Sequence, residues 1–385
     1  MAICTTRMNC ILVVFVCLFL PFNFAQNVTP SPAPFTEEIE EIITTLELET
    51  TAEEGDLWPT WSWYPIRWSW NVILQLISAI VGIIGNGLVI VVVFNGRVDR
   101  NSTDILIGAL AIADFFSSVF IIPLPQIRRM PLTPLGEFYC RMIDTSAFMW
   151  CCVAASVFTL TTISLERFAA VVYPFQFRRL FSKRRTIAYI LAIWLVSFAI
   201  YIPFHIFFKE IDATSHSCVL QRGSPGFQMF NGLSSVIIKF FCPFLIMVAS
   251  QTVTAITLQR QSRIFMNSAE GKNKASLHLH VARRRVIEML LIVVIIFVIC
   301  WGPSQCAFLL FNLHIISPSY VYSPLNRIFT VLGFYNSCAN PIIYTLRNVT
   351  FRSAVKSILT REKKANVSVF GISPSVAETA STTAA

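Results

Sequence analysis

The sequence predicts an all-α fold, a bundle of seven membrane-spanning helices followed by a short amphipathic helix on the membrane surface. Three observations lead to this fold class. Only 13% of the 385 residues are charged, which is about half of the share in an average soluble domain. Seven apolar stretches are each long enough to cross a bilayer core, which needs about 20 apolar residues per helix. The basic loops between them all fall on one side of the predicted membrane.

The first 70 residues are predicted to lie outside the bundle. Residues 1–25 contain Arg7, an apolar run too short to span a bilayer, and the small residue Ala25. This pattern is typical of a cleaved signal peptide, and an uncleaved anchor is the alternative. Residues 26–70 carry nine acidic residues and one basic residue and are rich in Thr, Pro and Glu, so we expect a disordered acidic extracellular arm. Asn27 begins an Asn-Val-Thr sequon and is the predicted glycosylation site.

Residues 71–346 form the predicted membrane domain. The loops after the first, third, fifth and seventh spans are basic, whereas the arm before the first span is acidic. Lys and Arg concentrate on the cytoplasmic side of membrane proteins. The N-terminus is therefore predicted outside and the C-terminus inside, and the basic loops do not indicate nucleic-acid binding. The seven spans lie at about 71–95, 104–127, 139–172, 185–208, 228–259, 284–312 and 322–346.

Two further segments follow the seventh span. Residues 347–360 alternate apolar and basic side chains at helical spacing, which predicts an amphipathic helix in contact with membrane lipid. Residues 361–385 are polar and rich in Ser and Thr, which predicts a disordered cytoplasmic tail. Phosphorylation there would add charge and create a docking site; a plain solvated tail is the alternative.

Two cysteines lie outside the spans, on the same side as the acidic arm. Cys140 opens the third span, and Cys218 lies between the fourth and fifth spans. That side faces an oxidising compartment, where disulfides form. A disulfide between them is therefore predicted, and two free thiols are the alternative.

Polar residues inside membrane spans are functional hypotheses by default. Asp114, in the second span, would be costly to bury alone. With oxygen donors from other helices it would suit a small hard cation; a hydrogen-bonded network that only holds the helices together is the alternative. The polar residues of this predicted site are Asn86, Asp114, Ser156, Asn336, Ser337 and Asn340.

Lys239 lies in the middle of the fifth span, four residues before Pro243, with nothing acidic near it in sequence. It is predicted to be a counter-charge for a ligand between the helices, and local pairing or snorkelling is the alternative. Pro303 follows Trp301 in the sixth span. A bend beside a large aromatic side chain gives a helix two possible arrangements, which a switch requires.

Five short motifs follow one another along the spans. They are GNGLV at Gly85–Val89, LAIAD at Leu110–Asp114, SLERF at Ser164–Phe168, CWGP at Cys300–Pro303 and NSCANPIIY at Asn336–Tyr344. Together and in this order they resemble the motifs of the class A (rhodopsin-like) G-protein-coupled receptors. The resemblance covers about residues 71 to 359.

The resemblance implies a plasma-membrane receptor in which an extracellular ligand shifts the population toward an active arrangement. The sixth span then swings outward, and a heterotrimeric G protein enters near Arg167. The cluster around Asp114 would bind a sodium ion that favours the inactive state, and no other cofactor is implied. A receptor kinase and arrestin are candidate partners of the tail. The implied groups are a G-protein switch (Glu166, Arg167 and Tyr344) and an activation core (Val157, Pro243, Phe297, Trp301 and Pro303).

A peptide is the predicted ligand, because Arg283–Arg285 and the following FVICWGPSQ resemble the same region of peptide receptors. Phe334 stands where opsins carry the retinal lysine, and Met149 stands where amine receptors carry an aspartate. A small carboxylate or lipid ligand anchored by Lys239 is the alternative. The predicted ligand pocket consists of Met149, Lys239, Phe308, Tyr322 and Phe334.

Two departures from the family pattern concern the third and fifth spans. Cys140 and Arg167 are 27 residues apart, two more than usual, so the upper third span is expected to bulge or to start differently. Gln251 stands where most members have a tyrosine, which removes one partner of the usual water-mediated contact to Tyr344.

Two other classes of protein fit the sequence less well. A transporter or channel is a remote alternative, because the two halves of the chain show no internal repeat. An enzyme is not predicted, because the spans contain no Ser/His/Asp set, paired catalytic acids, HExxH motif or phosphate-binding loop.

Overall fold

The structure is a computed structural model that describes residues 61–94, 101–220, 225–266, 274–360 and 369–370. The chain divides into two units, Met1–Trp58 and Pro59–Ala385, and every described residue belongs to the second unit. The predicted signal peptide, the first part of the arm and the predicted glycosylation site at Asn27 lie outside the described residues.

Helices make up most of the described chain. They are interrupted by π-helical turns at Tyr139–Ile143 and Ile237–Phe241, and a 3₁₀ turn covers Pro318–Tyr322. The helices are α1 (Trp70–Phe94), α2 (Ser102–Phe120), α3 (Pro134–Phe138), α4 (Ala147–Val172), α5 (Pro174–Leu180), α6 (Lys183–Phe208), α7 (Pro225–Val236), α8 (Cys242–Met266), α9 (Lys274–Asn312), α10 (Pro324–Arg347) and α11 (Val349–Leu359).

These helices supply all seven predicted spans. Six stretches within the described residues are long and apolar enough to cross a membrane. The seventh span, α10, is 24 residues long and more polar, since it carries buried Asn336, Ser337 and Asn340. The first span is α1, the second α2, the third α3–α4, the fourth α6, the fifth α7–α8, the sixth α9 and the seventh α10.

The second span is shorter than predicted. It begins at a capping box, in which Asn101 and Asp104 each accept a hydrogen bond from the other's backbone N–H. It ends at Phe120 rather than at residue 127. Pro123 explains this correction, because proline lacks an N–H and disfavours helical backbone in the residue before it.

The third span contains the bulge that its length predicts. The π-helical turn Tyr139–Ile143 is followed by Ser146 in the left-handed region, with a φ of 56°. The regular helix α4 begins at the next residue, Ala147. The extra residues between Cys140 and Arg167 are therefore absorbed near Cys140.

Two short antiparallel sheets add to the helical fold. Strand β1 (Ser62–Tyr64) pairs with β2 (Gln126–Arg129), and β3 (Lys209–Ile211) pairs with β4 (Cys218–Leu220). The all-α class is unchanged, since each sheet has only two strands of three or four residues. These strands were not predicted from the sequence.

Aromatic contacts hold the last part of the predicted arm. The rings of Trp61 and Trp63 are stacked, with centroids 5.9 Å apart. Both meet Tyr139 edge-on, at 5.6 and 5.5 Å between centroids. Disorder was predicted over 26–70, and it does not hold for these residues because strand pairing and ring contacts fix them.

The main hydrophobic core runs along the centre of the bundle and includes Val157, Phe297, Trp301 and Tyr344. The first and second spans approach closely beside it. A Cβ atom on Gly82 would lie 2.1 Å from Ser118 Oγ, so only glycine fits there. We call the end with Cys140 the disulfide end and the opposite end of the third span the Arg167 end.

Candidate functional site

Asp114 is fully buried in the second span, at the centre of a cluster of polar side chains. Its Oδ1 atom accepts a hydrogen bond from Ser156 Oγ over 2.7 Å. Its Oδ2 atom accepts one from Asn340 Nδ2, also over 2.7 Å. The donors come from the third and seventh spans, so the carboxyl group links three helices and is not left unsatisfied in the core.

Asn86 and Ser337 extend this cluster to the first span. Asn86 Nδ2 donates to the backbone oxygen of Ser337 over 2.9 Å. Ser337 Oγ lies 3.0 Å from Ser117 Oγ, and Ser117 donates to the backbone oxygen of Asp114 over 3.0 Å. Asn86 Oδ1 is buried and has no hydrogen-bond partner among the described residues. One connected network therefore includes five of the six predicted residues.

Two further members of the cluster were not predicted from the sequence. Ser117 and Ser118 are buried, and both donate to the backbone oxygen of Asp114, over 3.0 and 2.7 Å. Their spacing of three and four residues from Asp114 puts them on the same helix face, which was the available signal. Asn336 is buried one turn before Asn340, but no hydrogen bond joins it to the network within the described residues.

The atoms of this cluster that could bind a metal ion are oxygens. One carboxylate, several hydroxyls and the spare Asn86 Oδ1 suit a hard cation better than a transition metal. Nowhere in the described part of the chain do three His, Cys, Asp or Glu side chains come together as a metal site.

Glu166 and Arg167 form a buried ion pair near the end of α4. Arg167 Nε lies 2.7 Å from Glu166 Oε2, and Arg167 Nη2 donates to Glu166 Oε1 over 3.3 Å. Ser102 Oγ and Thr103 Oγ1 also donate to Glu166 Oε1, both over 2.8 Å. The first turn of the second span thus fixes the carboxylate that holds Arg167.

Tyr344 lies at the same end of the bundle and is 1% exposed. Its ring meets Phe351 and Phe370 edge-on, at 6.4 and 5.1 Å between centroids. Its hydroxyl is buried without a hydrogen-bond partner among the described residues. Gln251, which stands where most family members have the tyrosine that contacts Tyr344 through water, donates to Ser164 Oγ over 3.3 Å.

The packing of Phe370 corrects the prediction for the tail. Residues 361–385 were predicted to be disordered, but Val369 and Phe370 are only 4% and 1% exposed. The predicted disorder does not hold for these two residues, because they pack against the membrane domain.

Three residues of the predicted activation core, Val157, Phe297 and Trp301, lie in the main hydrophobic core. Trp301 lies 6.0 Å from Trp150 between ring centroids, and Phe297 lies 5.7 Å from Phe240. These side chains pack with Val157 in the main hydrophobic core. The indole nitrogen of Trp301 is buried without a hydrogen-bond partner in the described residues, so no polar contact there fixes the orientation of the ring.

Two prolines flank this core. Pro243 is buried in the first turn of α8, directly after the π-helical turn Ile237–Phe241. Pro303 lies inside α9, two residues after Trp301. Prolines and π-bulges are common causes of helix bends, so each span has a point beside the aromatic core at which it can bend.

Lys239 lies in the π-helical turn of the fifth span and contacts the fourth span. Its Nζ atom lies 3.7 Å from the centroid of the Tyr201 ring, a distance typical of a cation–π interaction. Tyr201 is 6% exposed and packs with Cys151 of the third span. The cation is thus held between three spans on the disulfide side of the core.

The disulfide end is cross-linked. Cys140 and Cys218 are bonded, which joins the start of the third span to β4. Lys209 of β3 forms an ion pair with Asp144, beside the bulge. The loop between the fourth and fifth spans is therefore attached to the third span at two points.

Asp212 lies in the turn between β3 and β4. It accepts hydrogen bonds from Thr214 Oγ1 over 2.6 Å and from Ser215 Oγ over 2.7 Å. These bonds lower the pKa of Asp212 from 3.8 to about 2. The turn therefore keeps a negative charge at physiological pH.

Comparison with known proteins decides the family. The sequence pattern described as 7 transmembrane receptor (rhodopsin family) matches residues 85–344, which is more than half of the chain. The chain belongs to this family. The resemblance and the seven-span bundle that the sequence predicted are thereby confirmed, and the protein is a multi-pass membrane receptor and not an enzyme.

Several curated receptors are similar to this one. It is 30% identical to the allatostatin-A receptor of Bombyx mori over 290 residues, 73% of this chain and 76% of that protein. It is 28% identical to galanin receptor 2a of Danio rerio over 300 residues, 75% and 78% of the two chains. It is 26% identical to the pyroglutamylated RF-amide peptide receptor of Mus musculus over 301 residues, 73% and 69% of the two chains.

The receptor brings together only part of the predicted ligand pocket. Met149 is 5% exposed and forms a small buried cluster with Ala79 and Ile121, against which Phe334 and Trp150 pack. Lys239 lies beside a different cluster, with Tyr201. Trp150 packs against both clusters and was not predicted.

The two remaining pocket residues are exposed. Phe308 is 41% exposed in the sixth span, and Tyr322 is 80% exposed in the turn before the seventh. Neither is part of the Met149 or Tyr201 cluster. Their place in the ligand pocket therefore stays a prediction.

Proposed function

We propose that this receptor binds an extracellular peptide at the disulfide end and activates a heterotrimeric G protein at the Arg167 end. The observation that carries the proposal is the buried Glu166–Arg167 pair at the end of the third span. Burying a charged pair costs desolvation free energy, and separating the partners leaves each charge unpaired. The pair therefore favours one arrangement of the helices over another, as a switch requires. The three relatives above are named as receptors of allatostatin-A, galanin and an RF-amide peptide, which supports a peptide ligand.

We propose that the Arg167 end faces the cytoplasm of a cell whose plasma membrane the receptor spans. Arg178 and Arg179 of α5 and Lys183–Arg185 of α6 are exposed at this end, which agrees with the cytoplasmic excess of basic residues in membrane proteins. The Cys140–Cys218 disulfide at the other end suits an oxidising extracellular environment. The N-terminus would then be extracellular and the C-terminus cytoplasmic.

Continuous packing supports transmission between the two ends. The Met149 cluster contacts Trp150, the Trp150 ring lies beside Trp301, and Trp301 and Tyr344 share the main core. A ligand that favours another position of Trp301 shifts the population toward the arrangement that contains it. Pro303 and the π-helical turn give the sixth and fifth spans points at which they can bend. The spans would then move as segments, after which Arg167 leaves Glu166 and contacts the G protein.

We propose that the Asp114 cluster binds a sodium ion in the inactive arrangement. Asp114, Ser156 and the spare Asn86 Oδ1 atom would hold it, because oxygen atoms are the ligands that hard cations prefer. The bound ion would supply the positive charge that balances a buried carboxylate.

Replacing Asp114 by Asn is expected to make agonist affinity independent of sodium. In the wild type, exchanging sodium for a large organic cation at constant ionic strength should raise agonist affinity about tenfold, a typical coupling between two sites. Competition binding on membranes measures this, with Asp144→Asn as the control because Asp144 is paired outside the cluster. A wild-type affinity that does not respond to sodium would contradict the proposal.

The position of Lys239 favours a ligand with an anionic group, such as a C-terminal carboxylate. Lys239 is half-buried and its ammonium lies over the Tyr201 ring. A second candidate function, a receptor for a small carboxylate or a lipid, is favoured by the same residue, since the predicted pocket contains no other charged side chain.

Replacing Lys239 by Met is expected to weaken binding of a free-acid peptide about 10- to 100-fold, because hydrogen bonds to charged groups contribute roughly 1.5–3 kcal/mol. The amidated form of the same peptide should bind both receptors equally. Lys183→Met is the control, because it removes an exposed lysine charge at the opposite end of the bundle. If no peptide binds and a small carboxylate activates only the wild type, the second candidate is correct.

We propose three further partners on the cytoplasmic side. Helix α11 buries Phe351 and exposes Arg352 and Lys356, which suits a helix on anionic lipid. A cavity of about 490 Å³ lined by Phe158, Tyr189 and apolar residues of the third and fourth spans also suits lipid. A receptor kinase and arrestin would bind the Ser/Thr-rich tail after phosphorylation.

The experiment that tests the proposed function is a panel of neuropeptides applied to cells that express the receptor. G-protein activation by at least one peptide is expected, and untransfected cells are the control. A response to lipids or carboxylates alone would contradict the peptide ligand.

A further inference from the structure

Val369 and Phe370 place part of the chain's own tail against the Arg167 end of the bundle. The Phe370 ring centroid lies 5.1 Å from that of Tyr344 and 5.8 Å from that of Phe351. Phe370 is 1% exposed. An aromatic side chain this deeply buried occupies a formed pocket and not a surface groove.

Two polar side chains bind the backbone of this tail segment. Asp104 Oδ1 accepts a hydrogen bond from the Phe370 N–H over 2.8 Å. Asn348 Nδ2 donates to the Val369 carbonyl over 3.0 Å, while its Oδ1 accepts from the Phe351 N–H over 3.0 Å. Both polar groups are fixed, since Asp104 also caps the second span. The site therefore binds one backbone donor, one backbone acceptor and one aromatic ring.

This pocket adjoins the residues of the proposed switch. Asp104 directly follows Thr103, whose hydroxyl holds Glu166 over 2.8 Å. On the other side, Phe370 packs against Tyr344. The tail thus contacts both the helix turn that fixes the ion pair and the tyrosine that is expected to move.

We infer that the pocket of Asp104, Tyr344, Asn348 and Phe351, here called the tail pocket, is a binding site for Val369–Phe370, and that the bound tail excludes the G protein. A segment bound to one arrangement of the helices stabilises that arrangement. Tyr344 has no free space on the side that Phe370 covers, so activation requires the tail to leave. The inference rests on the proposed function, because it names a competitor of the G protein.

Replacing Phe370 by Ala is expected to raise GDP–GTP exchange without ligand about threefold or more, because the inactive arrangement loses a bound segment. Leu359→Ala is the matched control, since this side chain is 76% exposed at the end of α11. A chain that ends after Ser368 should behave like Phe370→Ala, which shows that the effect comes from losing the tail contact and not from damage by the substitution.

Hydrogen–deuterium exchange at the Phe370 amide gives a second readout in the full-length receptor. We expect slow exchange without ligand, because this amide donates to Asp104, and fast exchange once the G protein binds. Fast exchange without ligand would overturn the tail pocket. Unchanged basal activity of Phe370→Ala in an agonist-responsive receptor would overturn the competition. Slow exchange in a receptor that activates no G protein would refute the proposed function and leave the tail pocket standing.

Discussion

Replacing Glu166 by Gln raises G-protein activation in the absence of ligand. The neutral side chain still accepts the hydrogen bonds from Ser102 and Thr103, but Arg167 loses the charge that holds it. If the inactive arrangement loses about 1.4 kcal/mol, the active population rises about tenfold. Nucleotide exchange at matched surface expression measures this change.

The control for this prediction is Asp144→Asn. Asp144 also forms an ion pair with a basic residue, Lys209, but at the disulfide end. Basal activity should not change in this variant. Equal basal activity of Glu166→Gln and the wild type would contradict the role of the ion pair in holding the inactive arrangement.

Removing the disulfide by replacing Cys140 and Cys218 with Ala destabilises the receptor and abolishes peptide binding. The bond closes a loop with a sequence separation of 78 residues, and the chain-entropy relation gives roughly 4.5 kcal/mol for a loop of this size. The bulge and the loop between the fourth and fifth spans lose one of their two attachments. Thermal unfolding of the purified receptor and peptide binding at low temperature measure the two effects.

Cys306→Ala is the control for the disulfide, because Cys306 is a free, exposed cysteine. This variant should unfold at the wild-type temperature. A double variant that also unfolds at the wild-type temperature and binds peptide normally would show that the bond contributes neither stability nor pocket shape.

The sequence predicted those parts of the receptor that depend on residue type and spacing. A carboxyl group in an apolar span needs hydrogen-bond donors, and Ser156 and Asn340 donate to Asp114. The extra residues between Cys140 and Arg167 had to be absorbed, and a bulge absorbs them.

Long-range packing could not be predicted in this way. Strand β1 forms because it pairs with β2, which lies about 65 residues further along the chain, and because Trp61 and Trp63 contact Tyr139. Composition predicted disorder for Phe370, whose burial depends on Tyr344 and Asp104, far away in the sequence. The exposure of Phe308 and Tyr322 likewise depends on packing and not on their positions along the chain.

The most direct test of the central claim is GDP–GTP exchange on a heterotrimeric G protein by the purified receptor in lipid discs, with a peptide panel. We predict that at least one peptide accelerates exchange and that Arg167→Ala, at equal peptide binding, does not respond. Acceleration by the same peptide that survives in Arg167→Ala would contradict the proposed switch. No acceleration by any peptide, with an intact Cys140–Cys218 bond and folded receptor, would contradict the peptide-receptor function itself.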